Sequence, residues 1–408
     1  MKPDILKGIR VVDLTTYAAA PAAMRLMADW GADVIHVEGM NGDPMRNYGA
    51  TLGTPIEKDE NPIWQLENGS KRSVVLNLRT DEGKEAIFKL IESADVFATN
   101  TRIEVLKKMG LDYESVHARC PNVVWAHVSG YGIHGEENVR PGYDVVSFWS
   151  RGGSLVDLAA KGGYPMTTPI GFGDTTTSLA FLNGILAAVI KRRLTGEGSM
   201  VTASLLSTAV WCGGLMITAA QDRFGEVYPK DYYDPSTPLT HVYKCADGEW
   251  ITLCIVEYNK FFGLVCDILG LGSEIKENPN YATVKAVKDG HVAELTKIVE
   301  EAIAKIPRAE LAAKLAAADM AYECCQHYSD VTKDKQCWEN HYLYDYQFPN
   351  GNSCVLPASP VQFSPENEEI EQRPAPQLGE HTSELLTEVG YTEEQIKALF
   401  EAKAIGGQ

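Results

Sequence analysis

Residues 8–38 read GIRVVDLTTYAAAPAAMRLMADWGADVIHVE, and this stretch decides the fold. Ile9–Leu14 is a short β-branched run and reads as a buried strand. Ala20–Trp30 carries its apolar residues at helical spacing, and Val34–Val37 reads as the next strand. The same alternation continues outward. Val74–Leu78 predicts a strand, Asp81–Ser93 a helix capped by Thr80, and Val96–Thr99 and Val123–Val128 two more strands separated by helix around Glu104–Met109. Strands alternating with helices of this length predict an α/β fold with a mostly parallel sheet covered on both faces.

The turn between the first strand and the first helix argues against one common use of such a sheet. DLTTYAAAPAA contains no glycine, whereas close approach to a dinucleotide pyrophosphate needs the G-x-G-x-x-G turn. A nicotinamide or flavin enzyme is therefore disfavoured.

Further along, HVYKCADGEWITLCIV holds two β-rich runs joined at Asp247–Gly248, a hairpin signal. Helical patterns follow at Asn259–Leu269 and His291–Ala304, so a smaller α+β domain is predicted over 226–328. Residues 1–225 form the large domain, and 329–408 return to it. VLPASPVQF reads as a strand, and two helices close the chain, the last with a Thr392/Gln395 capping box. Residues 198–221 carry no charge but are rich in Ser, Thr and Gly. This segment reads as a helix buried in a protein core and not as a membrane span.

The 408 residues allow two domains, and 45% hydrophobic with 23% charged residues is the balance of a folded protein. A formal net charge of −18 argues against nucleic acid as a partner. It does not exclude a small anionic ligand gripped by a few local cations. The nine cysteines show no framework spacing, and neither CxxC nor HExxH occurs. Reduced thiols in a cytoplasmic protein without a metal site are the reading, and the N-terminus enters a strand pattern too soon for a signal peptide.

The segment PIGFGDTTTSLAFLNGILAAVIKRR is the most informative for chemistry. Gly171 and Gly173 flank a bulky residue, and Asp174 then opens a long helix. Aspartate at a helix start is most often a cap. The glycines, however, permit close approach of a ligand to the backbone, and the helix N-terminus favours an anion there. A carboxylate held against its target is a legitimate nucleophile for acyl transfer.

These motifs resemble those of the class III (formyl-CoA transferase-like) CoA-transferases, nearly end to end. The matching pieces are residues 8–38 with NGDPMR, then ENGSKRSVVLNL, KKMGLDY, VSGYG, GFGD, LTGEG and LGEHTSELLTEVGY. The resemblance implies a Rossmann-like large domain built from both chain ends, a small central domain and an interlocked homodimer. It implies Asp174 as the nucleophile, passing through a mixed anhydride and an aspartyl-CoA thioester, with no metal, flavin or nicotinamide. By motif position, Lys71, Arg72, Arg46 and Lys108, with Arg102 as a further candidate, are expected at the coenzyme phosphates. Tyr17 and Ala18 are expected at the adenosine and thioester region; several relatives of this type carry glutamine where Ala18 stands. Tyr131 is a candidate for positioning the thioester. His134 and His381 read as surface or capping histidines.

Alpha-methylacyl-CoA racemases resemble the same scaffold but pair the aspartate with a histidine in a GHD motif. This chain reads PGYD, with Tyr143 at that place. An ordinary phenol is a poor base at neutral pH, which favours transfer over racemisation. A non-catalytic acyl-CoA binding protein is the remaining alternative. The flow of ENPIWQLENGSKRS, RPGYDVVSFWSRGG and DRFGEVYP is similar to the subgroup that charges (R)-2-hydroxy acids, phenyllactate or 2-hydroxyisocaproate, in amino-acid fermentation. The product would feed a 2-hydroxyacyl-CoA dehydratase. Oxalate and formate are disfavoured, since the region reading YYDPSTPLTHVY lacks the consecutive glycines of formyl-CoA transferases.

Overall fold

The computed structural model describes residues 5–364 and 373–407. Twelve strands are present among them: β1 (Arg10–Leu14), β2 (Asp33–Glu38), β3 (Arg72–Leu76), β4 (Val96–Thr99), β5 (Val124–Ser129), β6 (Met200–Ser204), β7 (Thr240–Lys244), β8 (Trp250–Cys254), β9 (Tyr322–Cys324), β10 (Leu343–Gln347), β11 (Ser353–Pro357) and β12 (Ile405–Gly406). Seven form one sheet in the order β12-β3-β2-β1-β4-β5-β6, parallel except for the edge strand β12. β1 lies at the centre. The chain leaves it on one side toward β2 and β3 and resumes on the other at β4. Crossovers on opposite sides leave a crevice at the carboxyl ends of β1 and β4, where ligands of such sheets bind.

Two apolar layers sandwich the sheet. On one face Val12, Ile35 and Phe97 pack with Ile87, Leu90 and Ile91 of the Asp81–Glu92 helix and with Leu385 and Leu386 from the C-terminal return. On the other, Val11, Val34, Ala98 and Ala126 pack with Met24 and Met27 of the Pro21–Asp29 helix and with Phe181, Leu182 and Ile185 of the Phe172–Thr195 helix. Both faces of each inner strand are therefore buried, which is why these strands read as continuous apolar runs. Thr80 caps its helix through the Gly83 N–H, and Thr392 and Gln395 form the capping box.

The chain divides into two compact units. One comprises Met1–Ser154, Thr167–Thr218 and Lys335–Gln408; the other comprises Leu155–Met166 and Ala219–Asp334. The smaller unit holds the antiparallel sheet β7-β8-β9. Its core is built from Tyr243, Ile251, Phe262, Leu295 and Leu311. Residues 155–166 belong to this unit, which corrects the assignment of all of 1–225 to the large one.

Two segment readings also change. The uncharged stretch 198–221 is not one buried helix. It is β6 followed by helices Leu205–Cys212 and Gly214–Ala219, with Trp211 and Leu215 exposed at 87% and 90%. Gly213 separates the two helices, and Met200–Ser204 takes the open edge beside β5. VLPASPVQF is strand only through Pro357, where β11 pairs with β10.

Candidate active site

A cleft of about 410 Å³ lies in the large unit. The segments after β1 (Thr16, Tyr17), after β4 (Asn100–Ile103) and after β5 (Gly130, Gly132) line it, with Tyr143, Asp174 and Leu205. This is the crevice anticipated from the strand order. The Asn100 amide clamps its two central loops, accepting from Thr16 N–H at 3.0 Å and donating to Thr16 O at 2.7 Å. At Gly130 and Gly142 the backbones approach so closely that a Cβ on Gly130 would sit 2.5 Å from Gly142 Cα. That contact folds the 130–142 loop back over the cleft.

Asp174 stands in the first turn of the Phe172–Thr195 helix. Gly171 precedes that helix at φ 72°, a left-handed conformation that glycine adopts freely. Gly173 has a different task. A Cβ there would lie 2.2 Å from an Asp144 carboxylate oxygen and 2.5 Å from the Phe148 ring. The second glycine thus lets Asp144 come against the start of the helix. Burial raises the Asp144 carboxyl, while the backbone N–H groups of Gly173 and Gly171 pull it down. Burial first, and the charge of Asp144 second, push Asp174 up to about 7. Asp144 was not among the residues expected at the site; its signal was the aspartate after Tyr143 in PGYD.

Ser178 ties this helix to the turn after β1. Its hydroxyl donates to Ala19 O at 2.6 Å and lies 3.0 Å from Asp174 O and 3.4 Å from Ala18 O. Ala18 therefore serves through its backbone. Tyr17 is held at φ 63°, an uncommon conformation for a tyrosine. Its N–H donates to Asp43 at 3.3 Å, and its ring meets Tyr143 edge to face at 6.4 Å.

The expected cations divide into two groups. Arg102 lines the cleft. Lys71, Arg72 and Arg46 are not among its lining residues. Lys71 is fully buried and donates to Asp13 (3.0 Å), Pro21 O (3.0 Å) and Asn68 (2.8 Å), so no donor remains for a ligand. Arg72 is bound to Asp33, Glu384 and Glu388. Arg46 makes a bidentate pair with Glu38 at 2.8 and 2.6 Å and lies over the Trp64 ring. Lys108 is exposed on the Ile103–Met109 helix away from the cleft lining. Tyr131 also lies outside that lining, under the Arg140 guanidinium. His381 accepts from Ser73 N–H at 3.3 Å and precedes the Thr382–Glu388 helix, and His134 is exposed.

Lys71 belongs to a buried network around Asp13. Asp13 binds Lys71 and His36, and His36 faces Asp43 at 3.4 Å on its other side. Burial would raise Asp13, but Lys71 and His36 outweigh it and hold the carboxyl at about 2. Burial would lower His36, but Asp13 overrides it and lifts the imidazole to about 9. Glu67, buried nearby, is pushed up to about 8 by burial, with Lys71 opposing and Asp174 adding to the rise. One cleft residue escaped the sequence reading altogether. His127 in β5 donates through Nε2 to Thr101 O at 2.9 Å, and its Nδ1 is buried without a partner among the described residues.

Residues 6–382 match the family model of CoA-transferase family III. The chain is 39% identical over 402 residues to (R)-2-hydroxy-4-methylpentanoate CoA-transferase of Clostridioides difficile, covering 98% of this chain and 99% of that protein. It is 35% identical over 403 residues to cinnamoyl-CoA:phenyllactate CoA-transferase of Clostridium sporogenes, covering 98% and 97%. Its fold is similar to the crystal structure of a CAIB/BAIF family protein from Brucella suis, with a TM-score of 0.80, 27% identity and 94% and 99% coverage. A parallel sheet with its cleft at the β1/β4 switch point, a helix-borne aspartate in that cleft and an end-to-end match lead to one assignment: the chain belongs to CoA-transferase family III and is a CoA-transferase.

Proposed function

We propose that the enzyme moves coenzyme A from an acyl-CoA to an (R)-2-hydroxy acid, with Asp174 as the nucleophile. The observation that carries the mechanism is the place of Asp174, at a helix N-terminus inside the cleft and half-buried. An Asp174 oxygen attacks the donor carbonyl, the C–S bond breaks, and coenzyme A leaves as a thiolate from a mixed anhydride. The thiolate attacks the Asp174 carboxyl carbon and the donor acid departs, leaving an aspartyl-CoA thioester. The acceptor carboxylate then attacks that carbon and frees the thiolate, which takes the acyl group from the second anhydride and restores Asp174. No proton is gained or lost, so the site needs orientation and an ionised aspartate and no separate base. The helix N-terminus stabilises the oxyanions that form beside it.

The acceptor class rests on the two relatives named above, whose acids both carry a 2-hydroxyl group. Aryl and branched-alkyl acids are both admitted, and the product of either suits a dehydratase that acts on 2-hydroxyacyl-CoA. Arg102 supplies a cation in the cleft for the coenzyme's phosphates. We place the enzyme in the cytoplasm as a homodimer. Leu194, Trp211 and Leu215 in the large unit are exposed, and large apolar side chains left exposed are of the kind that partners cover.

Mass spectrometry of exchange tests the reading. The protein is mixed with acyl-CoA donors, including cinnamoyl-CoA and 4-methylpentanoyl-CoA, and with 2-hydroxy and simple carboxylates. New 2-hydroxyacyl thioesters with loss of donor are expected. Binding of acyl-CoA with no new thioester contradicts the reading.

A further inference from the structure

Tyr17 is held in a conformation that its residue type resists. Its φ is 63°, a region that bulky side chains rarely adopt. Of the described non-glycine residues with positive φ, only Tyr17 lines the cleft that contains Asp174. Thr16 and Ala19, on either side of it, line the cleft as well. Strain of this kind lasts only where the surroundings over-determine it, and it gathers at functional sites because it preorganises them.

Three side chains from three segments hold this turn. Before Tyr17, the Asn100 amide grips both the N–H and the carbonyl of Thr16. After it, Ser178, one helical turn beyond Asp174, donates to Ala19 O at 2.6 Å. At Tyr17 itself the holder is Asp43, whose Oδ1 accepts the Tyr17 N–H at 3.3 Å. Asp43 is 2% exposed, lies in the loop after β2 and is not among the cleft-lining residues. It is itself fixed from several sides. Oδ1 also accepts from Met45 N–H at 2.8 Å, Oδ2 faces His36 Nε2 at 3.4 Å, and the Asp43 N–H donates to Glu38 at 2.9 Å. Arg46 in turn pairs with that glutamate. The NGDPMR motif thus supplies the turn with one fixed acceptor.

We propose that Asp43 is a positioning residue for the transfer: by holding the Tyr17 N–H it keeps the turn after β1 left-handed, and so keeps Thr16, Tyr17 and Ala19 in place in the cleft around Asp174. The proposal rests on Asp174 as the nucleophile, as read above. The φ of one residue sets the direction of the chain on both sides of it. A Tyr17 relaxed to negative φ draws Thr16 and Ala19 off their anchors, and with Ala19 goes the tie through Ser178 to the helix of Asp174. The Tyr17 ring, which meets Tyr143 edge to face at 6.4 Å, moves too. A transfer that needs no separate base depends on orientation, so a loosened turn costs rate. Asp43 touches no substrate and acts through Tyr17.

A double-mutant cycle tests this, because glycine adopts positive φ without strain and needs no holder. Asp43→Ala should lower kcat/KM about tenfold when residue 17 is tyrosine. In the Tyr17→Gly background, which has a lower rate of its own, the same substitution should cost about twofold at most. Asp43→Asn, whose amide oxygen can still accept the Tyr17 N–H, should retain most of the wild-type rate. Equal losses in the two backgrounds would overturn the proposal, since Asp43 would then act through the fold at large. A folded Asp43→Ala enzyme of wild-type rate would overturn it too. Should Asp43→Ala not fold, the wild-type enzyme labelled with ¹⁵N-tyrosine decides, its Tyr17 amide resonance identified by loss in Tyr17→Phe. That amide should be protected from exchange with solvent, and rapid exchange would contradict the proposal. This readout needs no turnover, so it separates the turn from the reaction. Undiminished transfer in Asp174→Ala, with the Tyr17 amide still protected, would overturn the functional reading and the positioning role that rests on it.

Discussion

Around β1–β3, Lys71, Arg72 and Arg46 are each paired with a carboxylate. Across the central strand, the cleft beyond β4 and β5 holds Asp174, with Asp144 against the start of its helix, and burial raises both carboxyls. The two regions contain similar residue types and share a sheet. One pairs opposite charges; the other brings two raised carboxyls close together. A basic motif in a sequence shows where cations are, but only the fold shows which of them still have donors to give.

The largest expected effect lies in the open region. Asp174→Ala should cut transfer by roughly a thousandfold or more, with an unchanged circular dichroism spectrum. Near-normal turnover would erase the distinction between the regions.

In the settled region the effect should fall on stability. Lys71→Ala leaves Asp13 charged and buried, and should cost about 3–5 kcal/mol in a urea titration, with little change in the donor KM of the folded fraction. A raised KM at unchanged stability would return Lys71 to the coenzyme site. Arg102→Ala should show the opposite split, raising the donor KM by about tenfold, as loss of a charge-assisted contact does, with stability unaltered.

The smallest effect sharpens the electrostatics of the cleft. Asp174 acts as an anion and is held at about 7 by burial and by Asp144, so kcat/KM should rise with pH through that value. Removing the neighbouring negative charge lowers the Asp174 pKa. Asp144→Asn should therefore move the rising limb to lower pH, by roughly half a unit to one unit. A shift toward higher pH would mean that Asp144 assists ionisation and does not oppose it.

Much of this division was legible before the fold was known. The alternation in residues 8–38 revealed the parallel sheet, because strands buried on both faces read as plain apolar runs. GFGD pointed to Asp174, and the reason for its second glycine became clear only with Asp144 packed against it. Lys71 misled, because a motif position carries no record of Asp13, which is 58 residues away in sequence yet 3.0 Å away in space. His127 was silent for a similar reason. Its meaning lies in the carbonyl of Thr101, 26 residues earlier, and a lone histidine in a β-rich run resembles any buried one. The uncharged stretch 198–221 failed differently. Composition does not separate an edge strand with two short helices from one core helix when large apolar side chains such as Trp211 and Leu215 stand exposed.

Peptide mass spectrometry after mixing the enzyme with acyl-CoA, quenched during turnover, tests the central claim most directly. The account predicts a coenzyme A adduct on the peptide carrying Asp174, absent in Asp174→Asn and discharged by added 2-hydroxy acid. An adduct on another residue, or sustained turnover with none on Asp174, would contradict it.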